Sequence, residues 1–209
     1  MLIDKNIEPF EEVTKFIGSH NSWSFNPIKQ LWLKPFFWVA KCQRVTILDQ
    51  YFNYGVRVFD LRLRYDKRTK KFEAAHGLAI FKCDWENDLK DLNALAALDT
   101  IYCRVLLEDD KDQEDQEEND YRFEAMCQYL VGKYPKIKFF GGFPARHRWR
   151  QYIYHFDTKE PTLFDAYSSS KLVNGNKIWP WLYAFNHNRE NMKRDINEDY
   201  LFIDYVDIK

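Results

Sequence analysis

Phe16-Ile-Gly-Ser-His20-Asn21-Ser22, Gly55-Val-Arg-Val-Phe-Asp60-Leu-Arg62-Leu-Arg64 and Ala75-His76-Gly77 decide the fold. Each is an apolar, β-branched or aromatic run that ends in polar, reactive side chains. Strands that carry a site at their C-terminal tips have this pattern. Two histidines, a carboxylate and an arginine delivered in this way suit chemistry on a phosphate. One imidazole takes a proton, the other gives one, and a guanidinium holds the anion.

Working outward, eight strand-like runs are expected: Thr14–His20, Val56–Arg64, Lys71–His76, Thr100–Glu108, Lys136–Phe143, Gln151–Asp157, Trp181–His187 and Tyr200–Val206. Helices fall between them. Leu89, Leu92, Leu95 and Ala96 recur at helical spacing, and Tyr121 to Val131 is a second amphipathic stretch ending near Gly132 and Pro135. Alternating strands and helices imply parallel pairing. The expectation is therefore one domain over residues 1–209, a compact, distorted (β/α)8 TIM barrel with shortened helices. Its rival is an open α/β sheet. The chain is near the short end for a barrel, roughly 200 residues, so several helices must shrink to loops.

Composition narrows the function. The net charge is -1, so no global field recruits nucleic acid. Cys42, Cys83, Cys103 and Cys127 are widely spaced with no CxxC pair, which gives neither a zinc motif nor a small disulfide scaffold. Buried thiols are expected. The first residues lack the charged start and apolar run of a signal peptide, and no stretch nears the roughly 18 apolar residues of a membrane span. A cytoplasmic monomer is the expectation on this ground.

A lone histidine at the end of an apolar run is most often a satisfied core residue. The neighbours of His20 argue for a site instead. Asp60 and Arg62 are two apart on one strand and share a face. A buried arginine there needs a carboxylate or an anionic ligand.

Gly18-Ser-His20-Asn21-Ser22, Asn26-Pro27-Ile28-Lys29-Gln30-Leu31-Trp32, Gly55 to Arg62 and His76-Gly77 together resemble the bacterial phosphatidylinositol-specific phospholipases C, over residues 16 to 80. Ile203-Asp204-Tyr205 is similar to that family's last strand. The resemblance implies a metal-independent phosphodiesterase on phosphatidylinositol-like lipids, yielding a cyclic inositol phosphate and diacylglycerol. His20 would be the general base, His76 the general acid, Arg62 the phosphate ligand, Asp60 a support near the leaving group, and Asp204 the group orienting His20. The two rings are then expected to face each other across one cleft, with Arg62 between them.

The resemblance has departures. Asn21 stands where the bacterial enzymes carry an aspartate. An asparagine there is typical of calcium-dependent eukaryotic relatives, so Asn21, Asp60 and Glu108 are the alternative calcium ligands. Arg62 opposes that reading, because it occupies the position of a further carboxylate. Leu106 replaces the family's inositol-contacting lysine and Gly142 a later arginine. Asn21, Arg104, Glu108 and Asp157 are accordingly the candidate headgroup contacts. The family's secretion would also place the chain outside the cell. Residues 27–39 are crowded with large apolar groups and lysines: either a core helix and buried loop, or a membrane-touching rim with Ile28, Leu31 and Trp32 as contacts. Glu108 to Asp120, rich in acidic residues, reads as a solvated loop and helix start. Other enzymatic readings are a phosphodiesterase on another lipid or glycerophosphodiester headgroup. A catalytically reduced headgroup-binding module is the non-enzymatic alternative.

Overall fold

The computed structural model describes residues 16–108, 116–141, 162–167 and 179–208, with side chains from 121 onward in the second segment. Its strands are β1 (Phe16–Ser19), β2 (Val58–Asp66), β3 (Lys71–His76), β4 (Ala79–Ile80), β5 (Tyr102–Leu107), β6 (Lys138–Gly141), β7 (Leu163–Ala166) and β8 (Tyr200–Ile203). The helices are α1 (Phe37–Ala40), α2 (Ile47–Tyr54), α3 (Trp85–Leu95), α4 (Gln116–Lys133) and α5 (Pro180–Met192). Six strands pair in parallel in the order β6-β5-β2-β1-β8-β7, forming the curled sheet of a distorted barrel.

The strand period of two sorts the residues. Phe59, Leu61, Leu63, Cys103, Val105, Phe139, Leu201 and Ile203 pack in one large core with buried residues of α2, α3 and α4. Their neighbours Val58, Tyr102, Phe140, Tyr200 and Phe202 form a separate aromatic cluster on the other face. Continuing that face toward the strand C-termini gives Asp60 and Arg62 on β2, Arg104 on β5, and His20 and Asp204 just past β1 and β8. The interior thus has an aromatic floor and a charged top. Gly18 is needed there, since a Cβ on it would lie 2.8 Å from the Phe202 ring.

Three expectations change. Pairing is not wholly parallel: β3 runs antiparallel to β2, with Leu63 opposite Ala74 and Asp66 opposite Lys71. Four residues join the two strands, far fewer than the dozen or more that a parallel crossover needs. Trp181–His187 is not a strand but lies within α5. Its aromatics look strand-like, yet Pro180, Tyr183, Ala184, Asn188 and Asn191 are the buried positions, and that spacing is helical. The expected strand Gln151–Asp157 lies outside the described residues, as does Phe143 at the end of another. Two strands, β4 and β7, were not expected at all.

Candidate active site

The turn after β1 presents His20. Asn21 follows in the left-handed region (φ 44°), a conformation asparagine tolerates, and its backbone N–H donates to Asp60 Oδ2 at 3.0 Å. The end of β8 turns similarly: Tyr205, after Asp204, has φ 47°. A bulky residue there is strained, and its surroundings hold it. The Tyr205 hydroxyl donates to Lys41 O at 2.7 Å, and Asn188 Nδ2 donates to the carbonyls of Asp204, Tyr205 and Ile208. Gln43 ties the two turns together, donating from Nε2 to His20 O and Ile203 O, each at 3.0 Å.

His20 Nδ1 lies 2.6 Å from Asp204 Oδ1. An ionised carboxylate only accepts, so Nδ1 carries the proton and Nε2 has the lone pair. Nε2 faces Asp60 Oδ2 at 4.0 Å, beyond a hydrogen bond. His76 arrives by the antiparallel return of β3, which brings its ring back alongside β2. Its Nδ1 is 3.0 Å from the Ala40 carbonyl, so in the neutral ring that nitrogen donates and Nε2 carries the lone pair. Gly77, with φ +53°, turns the chain away just after it.

Arg62 lies between two carboxylates. Nε donates to Asp60 Oδ2 and Nη1 to Glu108 Oε1, both at 2.9 Å. Asp60 Oδ1 accepts from Arg104 Nε at 2.9 Å, and Arg104 stacks over Phe202 at 4.1 Å. Burial opposes the charge on Asp60, but Arg104 and Arg62 more than offset it and hold its carboxyl well below the usual range. Burial likewise opposes ionisation of Glu108, and Arg62 reverses the balance, so its pKa is lowered. Burial depresses His76, Arg62 and His20 add to the effect, and its pKa falls to about 4.

That depression couples to folding. A histidine held neutral in the fold contributes stability above its unfolded pKa near 6.5 and loses it as pH falls toward 4. Urea midpoints should therefore drop between about pH 6.5 and pH 4, and a His76→Gln variant should show a flatter profile over that window. A native profile as flat as the variant's would mean that His76 charges freely in the fold.

The structure therefore brings together His20, His76, Arg62, Asp60, Asp204, Asn21, Arg104 and Glu108. Asp157 lies outside the described residues. The two rings meet directly rather than across a gap. His20 and His76 are in edge contact, with ring centroids 5.4 Å apart at 89°, and the Tyr167 ring lies flat on His20 at 3.8 Å. His20 is fully buried, and the Tyr167 ring covers one of its faces. The Asp60 oxygens accept from Arg62, Arg104 and the Asn21 N–H. Arg104 is buried; among the described residues its Nη1 and Nη2 have no hydrogen-bond partner, and Nη1 lies 3.6 Å from Asp165 Oδ1.

Nor do the alternative calcium ligands form an open oxygen cage, because the Arg62 guanidinium bonds both Asp60 and Glu108. Ile28 is corrected as a surface contact: it is 6% exposed and bridges to Phe81. Leu31 and Trp32 are 74% and 66% exposed, on a 3-10 turn over Leu31–Phe36.

Sequence reasoning missed Asp165, Tyr167 and Cys42. Leu163-Phe-Asp165-Ala-Tyr167 is an alternating run ending in polar groups, the same signal used for the other strands. Cys42 has no such signal, since it sits beside His76 only through the fold.

No family model matches the chain, and no curated protein matches it in sequence. Solved structures do match. The phosphatidylinositol-specific phospholipase C from Listeria monocytogenes superposes with a TM-score of 0.60 at 14% identity, over 92% of this chain and 88% of that one. A variant of the phosphatidylinositol-specific phospholipase C from Staphylococcus aureus gives 0.58 at 18%, over 91% and 84%. A doubly substituted form of that enzyme gives 0.52 at 18%. The fold of this chain is therefore that of the bacterial phosphatidylinositol-specific phospholipases C, a distorted (β/α)8 barrel.

Proposed function

We propose that the chain cleaves phosphatidylinositol-like lipids by histidine acid-base catalysis, without a metal cofactor. One observation carries this: an imidazole oriented by a buried carboxylate touches a second imidazole at the strand ends, beside an arginine fixed by two carboxylates. In the proposed reaction His20 Nε2 takes the proton of the ring 2-hydroxyl. The freed oxygen bonds to phosphorus while the bond from phosphorus to the glycerol oxygen breaks, and protonated His76 gives its proton to that oxygen. Arg62 holds the non-bridging oxygens. The attack is intramolecular, so orientation supplies much of the rate. His76 is neutral near pH 7 because Arg62 and His20 hold it down after burial. An anionic diester beside Arg62 offsets that field, so protonation of the acid is coupled to substrate binding.

A second observation favours a lipid over a soluble diester. An apolar groove of about 450 Å3, lined by Ile28, Leu33, Phe36, Val39 and Leu78, has His76 in its wall. It lies beside the exposed Leu31 and Trp32, which suit transient contact with a membrane surface. None of the helices among the described residues is long and apolar enough to cross a membrane.

The test is release of headgroup from phosphatidylinositol vesicles in excess EDTA, with glycerophosphoinositol as the soluble comparison. Cleavage should survive the chelator and favour vesicles, and Trp32→Ala should lower the vesicle rate more than the soluble one. Loss of activity in EDTA with recovery in calcium would return Asn21, Asp60 and Glu108 to the role of metal ligands. A preference for the soluble diester would favour the glycerophosphodiesterase reading, and headgroup binding without turnover the binding-module reading.

A further inference from the structure

Cys42 takes part in none of these steps, yet it is fully buried against both imidazoles. Ligand atoms of His20, Cys42 and His76 all lie within 4.8 Å of one another. We propose that these three side chains form a thiophilic metal site selecting zinc, and that its occupation shuts the enzyme down. The inhibitory half rests on the acid-base reading above; the site itself rests on geometry.

The donor set decides the metal. One thiolate and two imidazoles suit zinc and disfavour calcium or magnesium, which take oxygen. The spacing is already close to what zinc requires. With a bond of about 2.3 Å to sulfur and about 2.05 Å to nitrogen, a tetrahedral centre holds sulfur and nitrogen roughly 3.6 Å apart. Cys42 Sγ and His76 Nδ1 are 3.7 Å apart. The nitrogens of the two rings should end about 3.3 Å apart on the same geometry, so atoms now within 4.8 Å of one another close by at most about 1.5 Å. The Asp204 carboxylate, 2.6 Å from His20 Nδ1, is the neighbouring oxygen donor for a fourth position. Binding releases the thiol proton and breaks the bond from His76 Nδ1 to Ala40 O.

Occupation would have a direct consequence. Zinc takes a nitrogen from each imidazole, so the base and the acid are withdrawn together. Trace zinc would therefore act as an inhibitor, and EDTA as an activator.

Cobalt(II) reports on the site without any need for turnover. Titrating the full chain, after dialysis against chelator, should give one equivalent of tetrahedral cobalt with near-ultraviolet thiolate-to-cobalt charge transfer, displaced by zinc. Cys42→Ser should remove that band and weaken zinc binding on the order of 100-fold or more. Cys83→Ser, altering a thiol that bonds Asp88 instead, should change neither. No thiolate band in the unaltered chain, or the same band in Cys42→Ser, overturns the site, and the first of these needs no variant to fold. In vesicle assays, each protein normalised to its own rate in EDTA, zinc should stop the unaltered chain and leave Cys42→Ser far less affected. Full turnover with zinc bound would overturn the inhibitory half and the acid-base roles with it. Absence of turnover under every condition would sink the functional reading alone, while the cobalt spectrum still decides the metal site.

Discussion

Asp60→Ala is expected to destabilise the fold by roughly 3–5 kcal/mol, the loss seen when one partner of a buried ion pair is removed. The reason is geometric. Asp60 is fully buried and is bonded to Arg62 Nε, Arg104 Nε and the Asn21 N–H. Arg62 keeps Glu108 as a partner, but Arg104 is fully buried and, among the described residues, keeps as a carboxylate partner a 3.6 Å approach to Asp165. Its guanidinium would be left almost uncompensated in the barrel. Against a total stability of about 5–15 kcal/mol, that is a large fraction. The second substitution locates the effect. Asp60→Ala with Arg104→Met should be more stable than Asp60→Ala alone, because the stranded charge is gone and the methionine can pack on Phe202 in its place. Denaturant unfolding of the two variants measures this. If Asp60→Ala costs less than about 1 kcal/mol, or if Arg104→Met makes it worse, the carboxylate is not what neutralises Arg104.

The same cluster marks the limit of what the residues alone reveal. Val58 to Arg64 reads as a strand at sight, and its period of two puts Asp60 and Arg62 on one face, where they indeed bond each other. His20 and His76 end apolar runs, so their place at strand tips was legible. Asp204 was found through likeness to a last strand rather than from any pattern of its own. What failed was everything set by the third dimension. A four-residue link makes β3 antiparallel, and that return, not a third parallel crossover, brings His76 back to Arg62. Trp181 to Phe185 has the composition of a strand, but burial three and four residues apart makes it a helix. Tyr167 over His20 and Cys42 beside His76 are contacts between elements far apart in the chain. No local periodicity encodes them. Ile28 shows the same limit: next to exposed Leu31 and Trp32 in sequence, it turns inward because its backbone bridges to Phe81.

His20→Ala should lower turnover on phosphatidylinositol vesicles by about 10³- to 10⁴-fold, the upper part of what a positioned base contributes. Asp204→Asn should lower it by less, roughly 10²-fold, chiefly in kcat. Asparagine keeps the shape and one acceptor but not the charge that stabilises a protonated imidazole. Its fold should survive, since the Asp204 backbone stays clamped by Asn188. The two losses should not multiply. His20 Nδ1 and Asp204 Oδ1 are 2.6 Å apart and both buried, so the carboxylate acts on the reaction through this ring. Once the ring is gone there is nothing left for it to orient. The double variant should then be scarcely slower than His20→Ala alone, as expected for residues that work as one unit. The competing role is purely structural: the buried Asp204 carboxylate, 2.6 Å from His20 Nδ1, would serve only to hold that corner of the barrel together. In that case Asp204→Asn would lower the unfolding midpoint more than kcat, and its effect would persist in the His20→Ala background. A double variant whose loss equals the product of the two single losses would show that Asp204 works independently of His20, and the dyad would have to be abandoned.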